Sequence, residues 1–299
     1  MTDLVALLDL ADIAIVRCEG TMPTESRLGL ARVVRRARQK LGYVGEALVV
    51  AFAGGTGSGK SSLINALVGD VVAPTGVVRP TTDEALAAIP IGSATTFARL
   101  LADLDVTNRV EVAALKSTIL VDLPDFDSTA VAHRHIVDSV LPVVDAVVWV
   151  FDPEKYADRI VHDDFLAALT PYESQFVFVL NQADLLDSQV AAVEDHLAGL
   201  LAADGFEQPE VVSSVARESA VHISDLVETL YARLDAKRTV ISRLATDLQV
   251  AANDGWALVH ETGTEELSIE ERDEFGLSAA TFVSLGVAAF EVLSHVEES

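Results

Sequence analysis

The stretch "FAGGTGSGKSSLINALVG", residues 52–69, joins an apolar run to a helical pattern through a loop containing four glycines. Gly54-Gly55-Thr56-Gly57-Ser58-Gly59-Lys60-Ser61 fits G-x-x-x-x-G-K-[ST], and its setting between a strand and a helix is the one this pattern requires. Glycines let the backbone wrap close to a phosphate with its N–H groups turned inward, and the following helix adds its positive end. Lys60 can then reach β- and γ-phosphates, the Ser61 hydroxyl can ligate Mg²⁺, and Ser62 continues the cradle into the helix. A glycine-rich turn without a ligand is the plain structural alternative. The Lys-Ser pair in register between strand and helix argues against it.

The rest of the chain sets bounds on what such a loop serves. Half of the 299 residues are hydrophobic, enough for a sizeable core, and the length suits one large domain, or one domain with an appendage. A formal net charge of −25 argues against a nucleic-acid backbone, DNA above all, as the main partner. One basic segment stands out, "RLGLARVVRRARQK" over Arg27–Lys40, with six basic residues and no acid. The single cysteine, Cys18, allows no intrachain disulfide and suits a reducing compartment. The N-terminus lacks the basic start and uniform apolar run of a secretion signal, so an amphipathic helix is expected there. The longest apolar run, Leu277–Ser294, is interrupted by Glu291 and reads as a buried helix rather than a membrane span. Because the chain stops soon after that run, the sequence is also compatible with being a piece of a longer one.

Three parts are expected. Residues 1–44 read as a helix, a break at Glu19–Pro23 and a basic helix ending near Gly42. Residues 45–218 alternate short apolar runs with amphipathic helical stretches, and residues 219–299 read as helices with an acidic section at His260–Gly276. The strand candidates are "ALVVAFAG", "EALAAIPIG", "STILVDLP", "DAVVWVFDP", "QFVFVLNQ" and "EVVSSVA". Most are continuous apolar runs, as in strands of a parallel sheet buried on both faces. The alternation predicts an α/β domain, a mostly parallel sheet with helices on both faces, flanked by helices from both termini.

The phosphate loop by itself does not choose ATP or GTP, so the choice rests on elements downstream. Asp122 closes the apolar run "STILVDLP", where a metal-side carboxylate belongs. It is followed by Leu123 rather than Glu, and no LSGGQ-type signature accompanies it. Asn181-Gln182-Ala183-Asp184 follows the run "QFVFVL", and a carboxylate there can accept hydrogen bonds from guanine but would face an acceptor on adenine. "VVRPTTDEA", residues 77–85, lies between the first helix and the second strand and resembles switch I of GTPases, where a threonine binds Mg²⁺ and senses the γ-phosphate, here Thr82 or else Thr81. Ser213-Ser214-Val215 ends the last apolar run and resembles the S-A-x loop that GTPases place beside the base. Any one of these alone is ordinary loop sequence. Their shared order is the signal.

Together "GGTGSGKSSLINALVG", "RPTT", "DLPD", "NQAD" and "SSV" resemble a TRAFAC-class P-loop GTPase domain, of the Era-like and dynamin-like bacterial branch, over residues 47–216. The resemblance implies GTP or GDP with Mg²⁺. Phosphates would be held by Gly54, Gly55, Thr56, Gly57, Ser58, Gly59, Lys60, Ser61 and Ser62. Ser61, Thr82 and Asp122 would hold the metal, while Asn181, Gln182, Asp184, Ser214 and Val215 would hold guanine. It also implies a nucleotide-dependent homodimer or paired GTPase, and a membrane surface or ribosome as a partner for Arg27–Lys40. A cytoplasmic protein, peripheral at a membrane, would fit.

Two departures stand in the pattern. The family's D-x-x-G reads Asp122-Leu123-Pro124-Asp125, which sets a carboxylate beside the γ-phosphate, and Phe126 replaces a water-positioning glutamine. Slow intrinsic hydrolysis is therefore expected, with Asp125, Asp127 and Ser128 as the candidates to position water. Gln182 replaces the lysine of N-K-x-D, so weaker base stacking is expected. His133 with His135, and His162 beside Asp163 and Asp164, read as helix surface rather than metal sites, and Trp149 and Phe151 as core. The basic segment could equally pair with the acidic C-terminal section. The rival readings are a pseudo-GTPase that holds nucleotide without hydrolysing it, a P-loop ATPase or kinase, and a membrane-remodelling scaffold.

Overall fold

A computed structural model describes residues 4–17, 24–41, 47–74, 85–124, 136–216 and 223–261. These fall into two compact units, one spanning Ala47–Leu234 and the other combining the N-terminal helices with the chain from Asp235 onward.

The larger unit is a seven-stranded sheet in the order β3-β2-β4-β1-β5-β6-β7. Its strands are β1 Leu48–Ala53, β2 Leu86–Pro90, β3 Asn108–Val112, β4 Thr118–Asp122, β5 Ala146–Phe151, β6 Phe176–Leu180 and β7 Val211–Ser213. The runs "LVVAFA", "AVVWVF" and "FVFVL" are buried along their whole length, as central parallel strands covered on both faces must be. All pairs are parallel except β2 with β4, where Leu86 lies opposite Asp122. The predicted α/β sheet is thus borne out, and all six expected runs contribute strands.

Alternation along the strands gives each face its own cover. One face carries Leu48, Val50, Phe52, Val148, Val150, Val177 and Val179 in a single cluster with Leu63, Ile64 and Val68 of α3, Lys60–Val68. The start of α6, Ser224–Glu261, joins that cluster through Leu226, Leu230 and Leu234. Arg233 fixes this end of α6 by donating to the carbonyls of Ser174 and Phe176, each at 2.8 Å. Burial lowers the pKa of its guanidinium, and the charge of Glu210 opposes the shift. On the other face Trp149 packs against Phe165 (ring centres 5.1 Å apart) and Phe178 against Phe206 (5.0 Å). Trp149 and Phe151 are core residues, as expected.

The stretch "DRIVHDDFLAALT" forms π-helical and 3₁₀ turns, Ile160–Phe165 and Leu166–Gln175, with Pro171 inside the second. Proline lacks the N–H that a regular α-helix would need there. α5, Val190–Asp204, follows the pattern read from the sequence. The edge strand β3, reached from β2 through the short α4, Ala98–Asp103, is an addition to the predicted runs.

In the second unit, α1, Leu4–Arg17, and α2, Thr24–Leu41, pack together where the two helices were expected, while the expected break at Glu19–Pro23 lies outside the described residues. They bury Leu8, Ala11 and Ala14 on α1 and Leu30 and Val34 on α2. Farther along α6, Ile241, Ala245 and Leu248 are buried at helical spacing. The exposed side of α2 carries Leu28, Arg32 and Arg35. No helix among the described residues is long and apolar enough to cross a membrane. The Leu277–Ser294 run and most of the acidic section lie outside the described residues.

Candidate nucleotide-binding site

The parallel strands β1, β4, β5 and β6 end side by side, so the loops that follow them gather at one edge of the sheet. Ligands of open α/β sheets bind at this carboxyl edge. Phe52 is in register with Asp122, so the glycine loop leaves β1 beside the carboxylate that ends β4. Gly54 has φ +142° and lies so close to β5 that an added Cβ would collide with the Val150 carbonyl oxygen. Gly59 has φ +94°, and a Cβ there would strike the Asn181 amide. Both positions demand glycine for conformation and for space.

Lys60 opens α3 and is buried, its ammonium donating to the Gly54 carbonyl at 3.0 Å and the Gly55 carbonyl at 3.4 Å. A buried ammonium on two carbonyls of a loop at a helix N-terminus forms a cationic cradle suited to phosphate. The next residue, Ser61, donates its hydroxyl to Asp122 Oδ2 at 2.5 Å, and Asp122 is fully buried. A hydroxyl and a carboxylate held together are hard oxygen donors suited to Mg²⁺, which takes few protein ligands and keeps several waters. The donor set therefore fits the metal implied by the sequence. Ser58 is buried as well, and its hydroxyl has no hydrogen-bond partner among the described residues.

The tetrapeptide after β6 reaches the same loop. Asn181, 1% exposed, donates its amide to the Ser58 carbonyl at 2.9 Å, and its amide oxygen accepts from the Ser214 hydroxyl at 3.1 Å. Gln182, left-handed at φ 59°, donates to the Gly57 carbonyl at 2.9 Å. The Ala183 N–H donates to the Ser214 carbonyl at 3.1 Å, which locks this turn to the end of β7. Asp184 is exposed and Val215 buried.

Residues 49–182 match the family described as 50S ribosome-binding GTPase. Over that segment, less than half of the chain, it is similar to a P-loop GTPase domain. The fold is similar to that of a bacterial dynamin from an oligomerised pair described as sensing and tethering membranes. That likeness has 14% identity, a TM-score of 0.51, and coverage of 91% of this chain and 57% of the other. The chain therefore spans little more than half the length of that dynamin. A looser likeness is to Era of Aquifex aeolicus bound to GDP and aluminium fluoride, at 19% identity and a TM-score of 0.42, covering 61% of this chain and 55% of Era. Comparison with curated proteins returns no match.

Several residues around this site were not anticipated. Lys155, in the turn after β5, directs its ammonium to the Thr56 carbonyl at 3.4 Å. Its signal in the sequence was "DPEK", an Asp-Pro turn at a strand end. Asn65 on α3 accepts from the N–H groups of Val72 and Ala73 and donates to the Ala73 carbonyl, each at 2.8 Å. It thereby anchors the chain just before residues 75–84. Asn181, expected at guanine, also meets the protein through one amide N–H and its amide oxygen.

Thr81 and Thr82 lie outside the described residues, as do Asp125, Phe126, Asp127, Ser128, His133 and His135. His162 is buried rather than on a helix surface, because its ring meets Asp204 and the Tyr156 carbonyl. Among the described residues no group of three His, Cys, Asp or Glu side chains could hold a metal by itself.

Proposed function

We propose that the chain binds GTP and, with Mg²⁺, hydrolyses it to GDP and phosphate, acting as a switch or as a mechanical GTPase of the dynamin type. One observation carries this reading. The chain of hydrogen bonds from Ser214 through Asn181 to the Ser58 carbonyl joins the three loops expected at phosphate and base, which supports their acting together. Lys60 and the backbone N–H groups of Gly54–Ser62 would hold the phosphates. Ser61, Asp122 and Thr82 would hold Mg²⁺, which when bound neutralises charge on the β- and γ-phosphates. Asp184, exposed beside the loop, would read guanine, with Val215 and Ser214 behind it. Asn181 and Gln182 would act chiefly by bracing the phosphate loop. Asp125 in place of glycine and Phe126 in place of glutamine support a slow intrinsic rate, raised by pairing with a second GTPase or by another partner.

A peripheral place at a cytoplasmic membrane surface follows from the same reading. The similar bacterial dynamin is described as tethering membranes, and α2 exposes Leu28 between basic residues. An amphipathic basic face of this kind suits anionic lipid headgroups. The ribosome is the other candidate for that face, given the description of the matched family.

Calorimetry with GTP and with ATP in Mg²⁺, with phosphate release followed in the same samples, tests the proposal. GTP-selective binding with turnover is the expected result. Binding without release would mean a nucleotide-holding module, and ATP bound as well as GTP would overturn the guanine assignment.

A further inference from the structure

The turn between β5 and the helical segment at Ile160 is braced far more heavily than a connection requires. Asp152, buried at the end of β5, accepts at Oδ1 from the N–H groups of Glu154 and Lys155, each at 3.0 Å. Its carbonyl accepts from the Tyr156 N–H at 3.0 Å, and the Lys155 carbonyl accepts from the Asp158 N–H at 3.0 Å. The Tyr156 carbonyl can only accept, so the His162 Nε2–H donates to it, at 2.7 Å. The buried His162 ring stacks on Phe151, and its Nδ1 meets Asp204 at the end of α5 at 2.5 Å. The Tyr156 hydroxyl meets His196 Nδ1 at 2.8 Å.

What this braced turn presents is Lys155. Its backbone is fixed on both sides, its side chain is exposed, and its ammonium reaches the Thr56 carbonyl on the outer turn of the phosphate loop. The chain has only five lysines, and two of them meet this one loop. They approach differently. Lys60 is buried on the carbonyls of Gly54 and Gly55, whereas Lys155 arrives from β5 at the next residue along. The neighbouring carbonyl of Gly57 receives the neutral amide of Gln182. In a protein of net charge −25, a cation set at such a loop has a clear electrostatic use, to offset a polyanion's repulsion from the surrounding surface.

We propose that Lys155 is a second phosphate-side cation of the nucleotide site, binding the polyphosphate chain of a nucleoside triphosphate, with Asp152 and His162 as the residues that position its turn. The inference rests on the nucleotide-binding reading above. An exposed ammonium can leave a carbonyl for a phosphate oxygen at little cost, because the carbonyl bond is neutral-to-charged and the phosphate bond is charge to charge.

The test is titration of Lys155→Met, Lys155→Arg, Lys60→Ala and the unaltered protein with GTP, GDP and guanosine in Mg²⁺, at low and high salt. Lys155→Met should weaken GTP about tenfold, GDP less and guanosine not at all, with the loss shrinking at high salt. Lys155→Arg should restore most of the affinity, and the melting temperature of the ligand-free protein should not move. GTP affinity unchanged in Lys155→Met, while Lys60→Ala abolishes binding, would overturn the role of Lys155 and leave the site standing. Equal weakening of guanosine would also overturn it, since a cation on the phosphates has no hold on the nucleoside. If the unaltered protein binds no nucleotide, the underlying reading itself fails.

Discussion

The loop Gly54–Gly59 and the turn Asn181–Asp184 follow strands two places apart in the sheet, and they are held in opposite ways. The glycine loop has a backbone that only glycine permits at Gly54 and Gly59, but its carbonyls need outside partners. Thr56, Gly57 and Ser58 receive theirs from Lys155, Gln182 and Asn181. The turn after β6 leans the other way, on the end of β7. Ser214 donates to Asn181 through its hydroxyl and accepts from Ala183 through its carbonyl. Support therefore passes from β7 to the β6 turn and from there to the phosphate loop. Damage to the phosphate loop should stay local, whereas damage to Asn181 should be felt at both loops, and a change at the outer end of the turn should touch neither.

The largest effect is expected where the loop meets the sheet. In Gly54→Ala the new Cβ would collide with a backbone carbonyl of central strand β5, which has no room to yield, at a φ of +142° that alanine rarely adopts. A cost of about 3–5 kcal/mol is expected, with nucleotide binding abolished. Denaturant midpoints with calorimetry would read both. A variant that folds and binds like the parent would mean that the loop is not wedged against β5.

Asn181→Ala comes next. It removes two hydrogen bonds and leaves the Ser58 carbonyl and the Ser214 hydroxyl buried without this partner. About 2–3 kcal/mol of stability is expected to go, and GTP and ATP should weaken together because the phosphate loop loses its brace. Loss confined to GTP would show instead that Asn181 serves the base directly, and the support described above would not hold.

The two loops also differed in how far the sequence disclosed them. Glycine spacing, Lys60 and Ser61 are local properties, so the phosphate loop could be read residue by residue, and Asp122 followed from its place at a strand end. The buried strands were legible for a similar reason, since "LVVAFA" and "FVFVL" are unbroken apolar runs. β3, "NRVEV", was not, because an edge strand is largely exposed and three of its first four residues are polar. The inward turn of Asn181 was hidden too. Its partners Ser58 and Ser214 lie 123 and 33 residues away, and no local pattern records a contact at that range. Lys155 escaped because its meeting with Thr56, 99 residues earlier, depends on β5 lying next to β1.

The smallest effect on the fold, and the sharpest on function, is expected at Asp184. Its side chain is exposed on the turn that follows Gln182, and no hydrogen bond binds it to either loop among the described contacts. Asp184→Asn should therefore leave stability within about 0.5 kcal/mol of the parent. It should weaken GTP about tenfold or more, because the charged acceptor for guanine becomes an amide, and it should spare ATP. Parallel titrations of the two nucleotides read the difference directly. Were both nucleotides to weaken alike, Asp184 would belong to the bracing of the phosphate loop and the division between the two loops would fall. Were neither to change, base recognition would have to come from elsewhere on the rim of the site, with Ser214 and Val215 the other expected base-side residues to examine. A selective loss of GTP in a variant as stable as the parent separates the reader of the base from Asn181, the residue that holds the loops.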